Sequence, residues 1–348
     1  MNKNPTDKII ESNPTVASDG VFPTNKKLFY QISVLIVITI TFFYGLFHYF
    51  SLKEMTAAFL QISPSSLIII FLLFFLYYIL RSLQLFFLFS QRIKLSTLSF
   101  IIAPYTMLVQ LIPFRMGELS FLYFIKDTKK ASAVEALVTL TTLRIFDVLI
   151  LLFFFLITPF FLAQPPSFFS SLFFKIFAFS ALVFFCILSL FAQKIFHAIH
   201  VFVQRPALSK HKYLAGFIEK ADHAFVFLQS FDKTMLLFVF LLGIFNWLVS
   251  FLTTYLLYQT LGVSLSLPDF LFIASLATLF AVVPLQGIAG FGNIELSWGV
   301  LLNLFGIETA FAIQTTFLVH VIILLYIIIF GIVGFLFWFF NKRKDSSI

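Results

Sequence analysis

Apolar residues fill most of the chain in runs too long for any soluble helix, and polar residues gather between them. Long apolar stretches without a Pro/Gly break at their centre cover about 28–50, 67–89, 133–162, 168–192, 234–258 and 310–340. Each is long enough to cross a hydrocarbon core, which takes about 20 helical residues. Two further stretches, 98–125 and 267–305, are apolar but broken. The first is broken at Pro113, Arg115, Gly117 and Glu118, the second at Pro284, Gln286, Gly287, Gly290 and Gly292. Irregular backbone at membrane depth is tolerated only where protein or a wet cavity satisfies its freed groups. The pattern predicts an all-α fold: a polytopic transmembrane helical bundle of about six full spans and two re-entrant helical hairpins.

The polar segments complete the plan. Residues 1–27 carry Pro5, Pro14 and Pro23 among Ser, Thr and Asn, and read as a disordered tail with no cleavage site behind it. The transmembrane domain covers 28–341, and 342–348 form a short basic tail. Residues 193–233 are the one sizeable polar connection. In it Leu214, Phe217, Ile218, Ala221, Phe225 and Leu228 recur at helical spacing. That spacing suits an amphipathic helix on the membrane surface, or equally a small helix packed on the bundle.

Composition excludes a soluble protein. Hydrophobic residues make up 61% and charged residues 11% of the 348, against about half and a quarter in soluble domains. The net charge of +8 lies between apolar runs, where it sets topology rather than binding nucleic acid. With both broken segments re-entrant, the tail, the Arg92 turn, the Lys126 stretch, residues 193–233 and the C-terminus all fall on the cytoplasmic side. The expected location is therefore a cell inner or plasma membrane with both termini cytoplasmic. The single Cys186 permits no internal disulfide and reads as a packing residue. Lys175 reads as a snorkelling side chain. No metal site or cofactor is indicated, and no hydrolase, metalloprotease or nucleotide-binding motif occurs.

Charges inside apolar runs are expensive and usually face a protein interior or a wet cavity. Arg81, Arg115, Arg144, Glu118, Asp147 and Glu295 lie at such depth. Arg144 and Asp147 are three apart, on one helical face, and can pair. Glu118 and Glu295 each follow a glycine break, where a helix N-terminus favours a carboxylate. Arginine suits phosphate because its planar fork binds two oxygens at once. Charges of both signs suit a lipid headgroup of both signs; the alternative is a salt-bridge network that only holds the bundle. His320 could relay protons or bond a neighbouring helix. A weak internal repeat, Gly-Glu118-Leu-Ser against Gly292-Asn-Ile-Glu295-Leu-Ser, reads as an inverted repeat or as a chance match. If inverted, it brings Arg115, Glu118 and Glu295 to one shared cavity.

Three of these motifs resemble a known family. Pro113-Phe-Arg115-Met-Gly117-Glu118 resembles the Pro-x-Arg-x-Gly-Glu motif of the flippase-like family, which includes the transmembrane region of lysylphosphatidylglycerol synthases. Arg144-Ile-Phe-Asp147 is similar to its Arg-x-x-Asp, and Gly290-Phe-Gly292-Asn-Ile-Glu295 to its late Gly-x-Gly-x-x-Glu. Arg81 also fits. The likeness spans roughly residues 30–340. It departs at Gly287-Ile-Ala289-Gly290, where the family has Pro-Gly-Gly, and at His320, where it often has arginine. The aminoacyl-transferase domain of the synthases is absent, so the resemblance points to a separate lipid-modifying enzyme as a partner.

The resemblance implies translocation or handling of an anionic or zwitterionic phospholipid. It names Arg81, Arg115, Gly117, Glu118, Arg144, Asp147, Gly290, Gly292, Glu295 and His320 as headgroup contacts. Two alternatives remain: an intramembrane lipid-modifying enzyme with Glu118 or Glu295 as general base, and an ion-coupled transporter of a soluble solute.

Overall fold

The computed structural model describes residues 52–112, 116–162, 231–281 and 288–345, with single positions between 33 and 48, 171 and 183, and 226 and 229. Helices α1 (Leu52–Leu60), α2 (Pro64–Leu88), α3 (Leu95–Leu111), α4 (Glu118–Asp127) and α5 (Ala133–Ile157) come first. Then follow α6 (Lys233–Thr260), α7 (Leu267–Phe280), α8 (Asn293–Leu304) and α9 (Thr309–Asp345). No strand occurs among the described residues.

Four helical stretches, Pro64–Leu88, Ala133–Phe160, Lys233–Thr260 and Thr309–Phe340, are long and apolar enough to cross a membrane. They match four of the expected spans. The other two, 28–50 and 168–192, lie largely outside the described residues, though described positions at 39–41 and 43–46 other than 42 are helical. The short α1, which carries Lys53, lies between the expected spans at 28–50 and 67–89.

Local chemistry sets the helix starts. Ser63, Ser132, Asp232 and Ser266 cap α2, α5, α6 and α7, each accepting from a first-turn backbone N–H. Ser132 and Glu135 close a reciprocal box, with Ser132 N–H donating to Glu135 at 2.7 Å and Glu135 N–H donating to the Ser132 hydroxyl at 3.1 Å. Asp232, outside the span, accepts from the backbone N–H of Met235 and Thr234, which holds its carboxyl below the ordinary range.

Both broken segments fold back on themselves, as re-entrant hairpins do. In the first, a Cβ on Gly117 would stand 2.3 Å from the Leu108 carbonyl oxygen, so only glycine lets the chain turn so tightly against α3. Tyr105 then meets Phe121 at 5.2 Å, which makes α3 and α4 antiparallel. In the second, Phe270 and Phe272, near the start of α7, meet Trp298 and Phe305, in the later half of α8 and at its end, at 5.6 and 5.9 Å, so α8 runs back along α7.

Helix α9 is the wall both hairpins share. It packs along α3 and along α8. The α3 contact depends on small residues: a Cβ on Gly331 would meet Met107 at 2.5 Å, and one on Gly334 would meet Pro104 at 2.8 Å. Pro104 has no N–H, so the carbonyl one turn before it, Phe100, loses its helical donor. That carbonyl faces Gly334, where no side chain intrudes.

Large apolar side chains such as Ile68, Leu72, Phe75, Leu325, Ile329 and Leu336 stay exposed on α2 and α9. Covering that much apolar surface requires lipid. The amphipathic spacing over 214–228 lies largely outside the described residues. At its end Phe227 and Phe231 are buried against the α2–α3 corner. There Phe227 lies under the Arg92 guanidinium at 5.7 Å, and Arg92 also bonds Glu135 at 2.8 Å.

Candidate functional site

Two polar clusters sit inside this bundle, one beside each hairpin. The first is a ladder of alternating charge. Arg81 of α2 donates to Asp147 of α5 at 3.0 Å, and both side chains are under a tenth exposed. Trp247 of α6 donates its ring N–H to the same carboxylate oxygen at 2.9 Å. One turn away, Arg144 of α5 donates to Glu118 of α4 at 3.2 Å and to the Tyr105 hydroxyl of α3 at 3.0 Å. Arg144 also approaches the other Asp147 oxygen, but only to 3.9 Å.

Spacing pointed to Arg144 and Asp147 as a pair, and they do lie within ion-pair distance. The shorter contacts are others: Arg81 on Asp147, and Glu118 on Arg144. The ladder is uneven in exposure. Side chains are 39% exposed at Arg144 and 28% at Glu118, but 9% and 8% at Arg81 and Asp147. It is sealed at one end and open at the other. Two guanidinium groups and two carboxylates leave it without net charge. Among the described residues the Arg144 Nε has no hydrogen-bond partner.

The second cluster closes the later break. Ala289, Gly290 and Gly292 have φ of 56°, 87° and 89°, a left-handed run that glycine adopts freely and alanine does not. Glu295 of α8 turns back and accepts from the Gly292 N–H at 2.8 Å. Its other oxygen lies 2.7 Å from His320 Nδ1 on α9. The His320 Nε2 lies 3.1 Å from the Ala289 carbonyl. Both side chains are buried, and the Phe291 ring lies 4.7 Å from the imidazole. With each carboxylate oxygen and each ring nitrogen engaged, this pair offers no free base to a substrate.

The two breaks meet through one residue that sequence reasoning missed. Gln110, at the end of α3, donates to the Ala289 carbonyl at 3.2 Å. Glu118 and Glu295 nevertheless face different partners, and Glu295 is fully buried, so it lines no wet cavity here. Helix starts account for the difference. Glu118 is the first residue of α4 and Glu295 the third of α8. At about 100° per residue, the two carboxylates point some 200° apart on their own helices. Arg115, the third member of the expected cavity, lies outside the described residues, as do Pro113, Pro284, Lys175 and Cys186. Gly117 serves the turn of the first hairpin, and Gly290 and Gly292 the turn of the second.

A family model described as the lysylphosphatidylglycerol synthase TM region matches residues 30–331. The chain belongs to that family. No curated protein and no solved structure matches it. Membership makes this lysylphosphatidylglycerol synthase TM-region protein a multi-pass membrane protein of a family tied to lipid handling.

The residues missed have one thing in common. Tyr105, Gln110 and Trp247 complete the clusters, and Gln84 and Asn246 are buried amides with unpartnered atoms among the described residues. The available signal was an amide, hydroxyl or indole N–H inside an apolar run; it marks a polar interior but not which charge it serves. Among the described residues no cluster of three His, Cys, Asp or Glu could hold a metal ion.

Proposed function

We propose that this protein moves a phospholipid with a polar headgroup between membrane leaflets. The headgroup passes along the Glu118–Arg144–Asp147–Arg81 ladder while the acyl chains stay in lipid. One observation carries the reading: the Glu118–Arg144 pair is the open end of a buried, charge-balanced ladder. A phosphate arriving there competes with Glu118 for the Arg144 fork, and an ammonium group competes for Glu118. A sealed structural network would have no such end. We place the protein in a cell membrane with both termini cytoplasmic, on the distribution of lysine and arginine.

The test is reconstitution into vesicles holding fluorescent phospholipid in both leaflets, followed by chemical bleaching of the outer leaflet. Bleaching that passes half of the dye in protein-containing vesicles but not in empty ones supports the reading; identical traces refute it. Orientation is tested in a Cys186→Ser background. An impermeant thiol reagent applied from outside should leave Thr128→Cys and Ser209→Cys unlabelled, and labelling of either overturns the topology.

A further inference from the structure

The hydrogen bonds around His320 fix how many protons the second cluster holds. The Ala289 carbonyl can only accept, so the His320 Nε2 facing it at 3.1 Å carries a hydrogen. The same carbonyl accepts from Gln110, which adds no proton to the pair. On the other side, Nδ1 and the Glu295 oxygen stand 2.7 Å apart, a distance at which two bare lone pairs repel. One further proton therefore lies between them. Whether it sits on nitrogen or oxygen, the pair is neutral overall and holds one transferable proton. The Gly292 N–H takes up the remaining carboxylate oxygen.

That proton holds a strained turn shut. His320 belongs to α9, Glu295 to α8, and Ala289 and Gly292 to the left-handed turn between α7 and α8. Losing the proton places a net negative charge in a buried site and turns the Nδ1–Oε1 contact from attraction to repulsion. Among the described residues the titratable group beside the pair is Tyr258 of α6, whose hydroxyl donates to Thr316 of α9 at 2.9 Å. Gln110 of α3 and Phe291 are neutral. No nearby cation is seen to offset the charge among the described residues. The contacts that give way are those tying α9 to the turn, and through Gln110 the turn to the first hairpin.

We propose that His320 and Glu295 form a proton-binding site whose occupancy latches the 288–292 turn, making lipid movement proton-dependent. This deepens the lipid-moving reading by naming the ion that gates it. The latch is tested without lipid movement, so the two can fail separately.

In a Cys186→Ser background, Ala289→Cys, a buried position, is labelled by a small thiol reagent in vesicles across a range of pH. The same series is run with Glu295→Gln, whose amide donates to Nδ1 and imitates the protonated latch. Dividing one rate by the other cancels the ionisation of the thiol itself. The expected ratio rises about tenfold per pH unit while the opened form is still the minor one, as a one-proton transition requires. A ratio that stays flat with pH overturns the proposal. Should Glu295→Gln fail to fold, infrared difference spectra of the otherwise unaltered chain decide it. Alkaline minus acid spectra showing loss of a proton from a buried carboxyl–imidazole pair, absent in His320→Gln, support the latch. Identical spectra for the two chains overturn it. A pH-gated turn with no lipid movement in the bleaching assay would keep the latch and remove the lipid reading.

Discussion

The two hairpins are built alike and end differently. Each folds an apolar helix back at a glycine and opens its second half-helix with Glu-Leu-Ser nearby. At the first, Glu118 reaches across to Arg144 and stays part-exposed. At the second, Glu295 turns back on its own helix start and is buried with His320. A carboxylate facing a permanent cation at an open edge can exchange partners with a headgroup. A carboxylate facing an imidazole in a closed site can exchange only a proton. The difference comes from which residue stands opposite, arginine or histidine.

Breaking the charged ladder at its sealed end should have the largest effect. Asp147→Asn leaves the Arg81 cation uncompensated, and removing one partner of a buried pair costs about 3–5 kcal/mol. Denaturant unfolding in detergent should show that loss, and Glu118→Gln at the open end should show clearly less. Equal losses would remove the distinction between the two ends.

Breaking the turn of the first hairpin comes next. Gly117→Ala forces a Cβ onto the Leu108 carbonyl, and such overpacking costs about 1–3 kcal/mol. Gly306→Ala is the contrast: nothing stands within 4 Å of its Cβ, though its φ of 86° adds strain of its own. A melting temperature for Gly117→Ala equal to wild type would show that the chain turns elsewhere.

Arg144→Lys sharpens the functional side of the comparison. It keeps the charge beside Glu118 and loses the fork. Lipid movement should fall several-fold while the melting temperature stays near wild type. A parallel loss of both would mark Arg144 as purely structural.

The smallest effect lies outside the membrane. Asp232 is held in its ionised form by the first turn of α6, so its contribution is present above the unfolded carboxyl range and lost as pH falls through the lower folded value. The protection of the Thr234 and Met235 amides against hydrogen exchange, taken relative to the unfolded rate at each pH, should fall on acidification, and Asp232→Ala should abolish that fall.

How much of this could be read from the sequence follows from where each interaction closes. Apolar runs and their breaks are local, so the long helices and both hairpins were legible. That Arg81, Arg144, Asp147, Glu118 and Glu295 stand on apolar helices was legible for the same reason. Partner choice was not. Arg81 and Asp147 are 66 residues apart; the contact of Arg144 with Asp147 was legible from their spacing, but at 3.9 Å it is the longer of the two that Asp147 makes to arginine. His320 carried no local hint of Glu295, because that bond depends on how α9 lies against α8. The Glu-Leu-Ser likeness suggested equivalent carboxylates, yet a shift of two residues within the first turn sends them to different neighbours.

Helix α9, with Gly331 and Gly334 flush against α3, has a consequence for how the protein is made. Both hairpins leave the ribosome before the helix that walls them. Until α9 arrives, Met107 and Pro104 lack the glycine surface they pack on, and Glu295 lacks His320. The nascent chain therefore holds two unfinished hairpins in the membrane and completes them together. Ribosome-stalled chains cut before Thr309 and carried on a linker long enough to clear the exit tunnel should leave the α3–α4 and α7–α8 turns open to protease, and chains carried past Gly334 on the same linker should protect both at once.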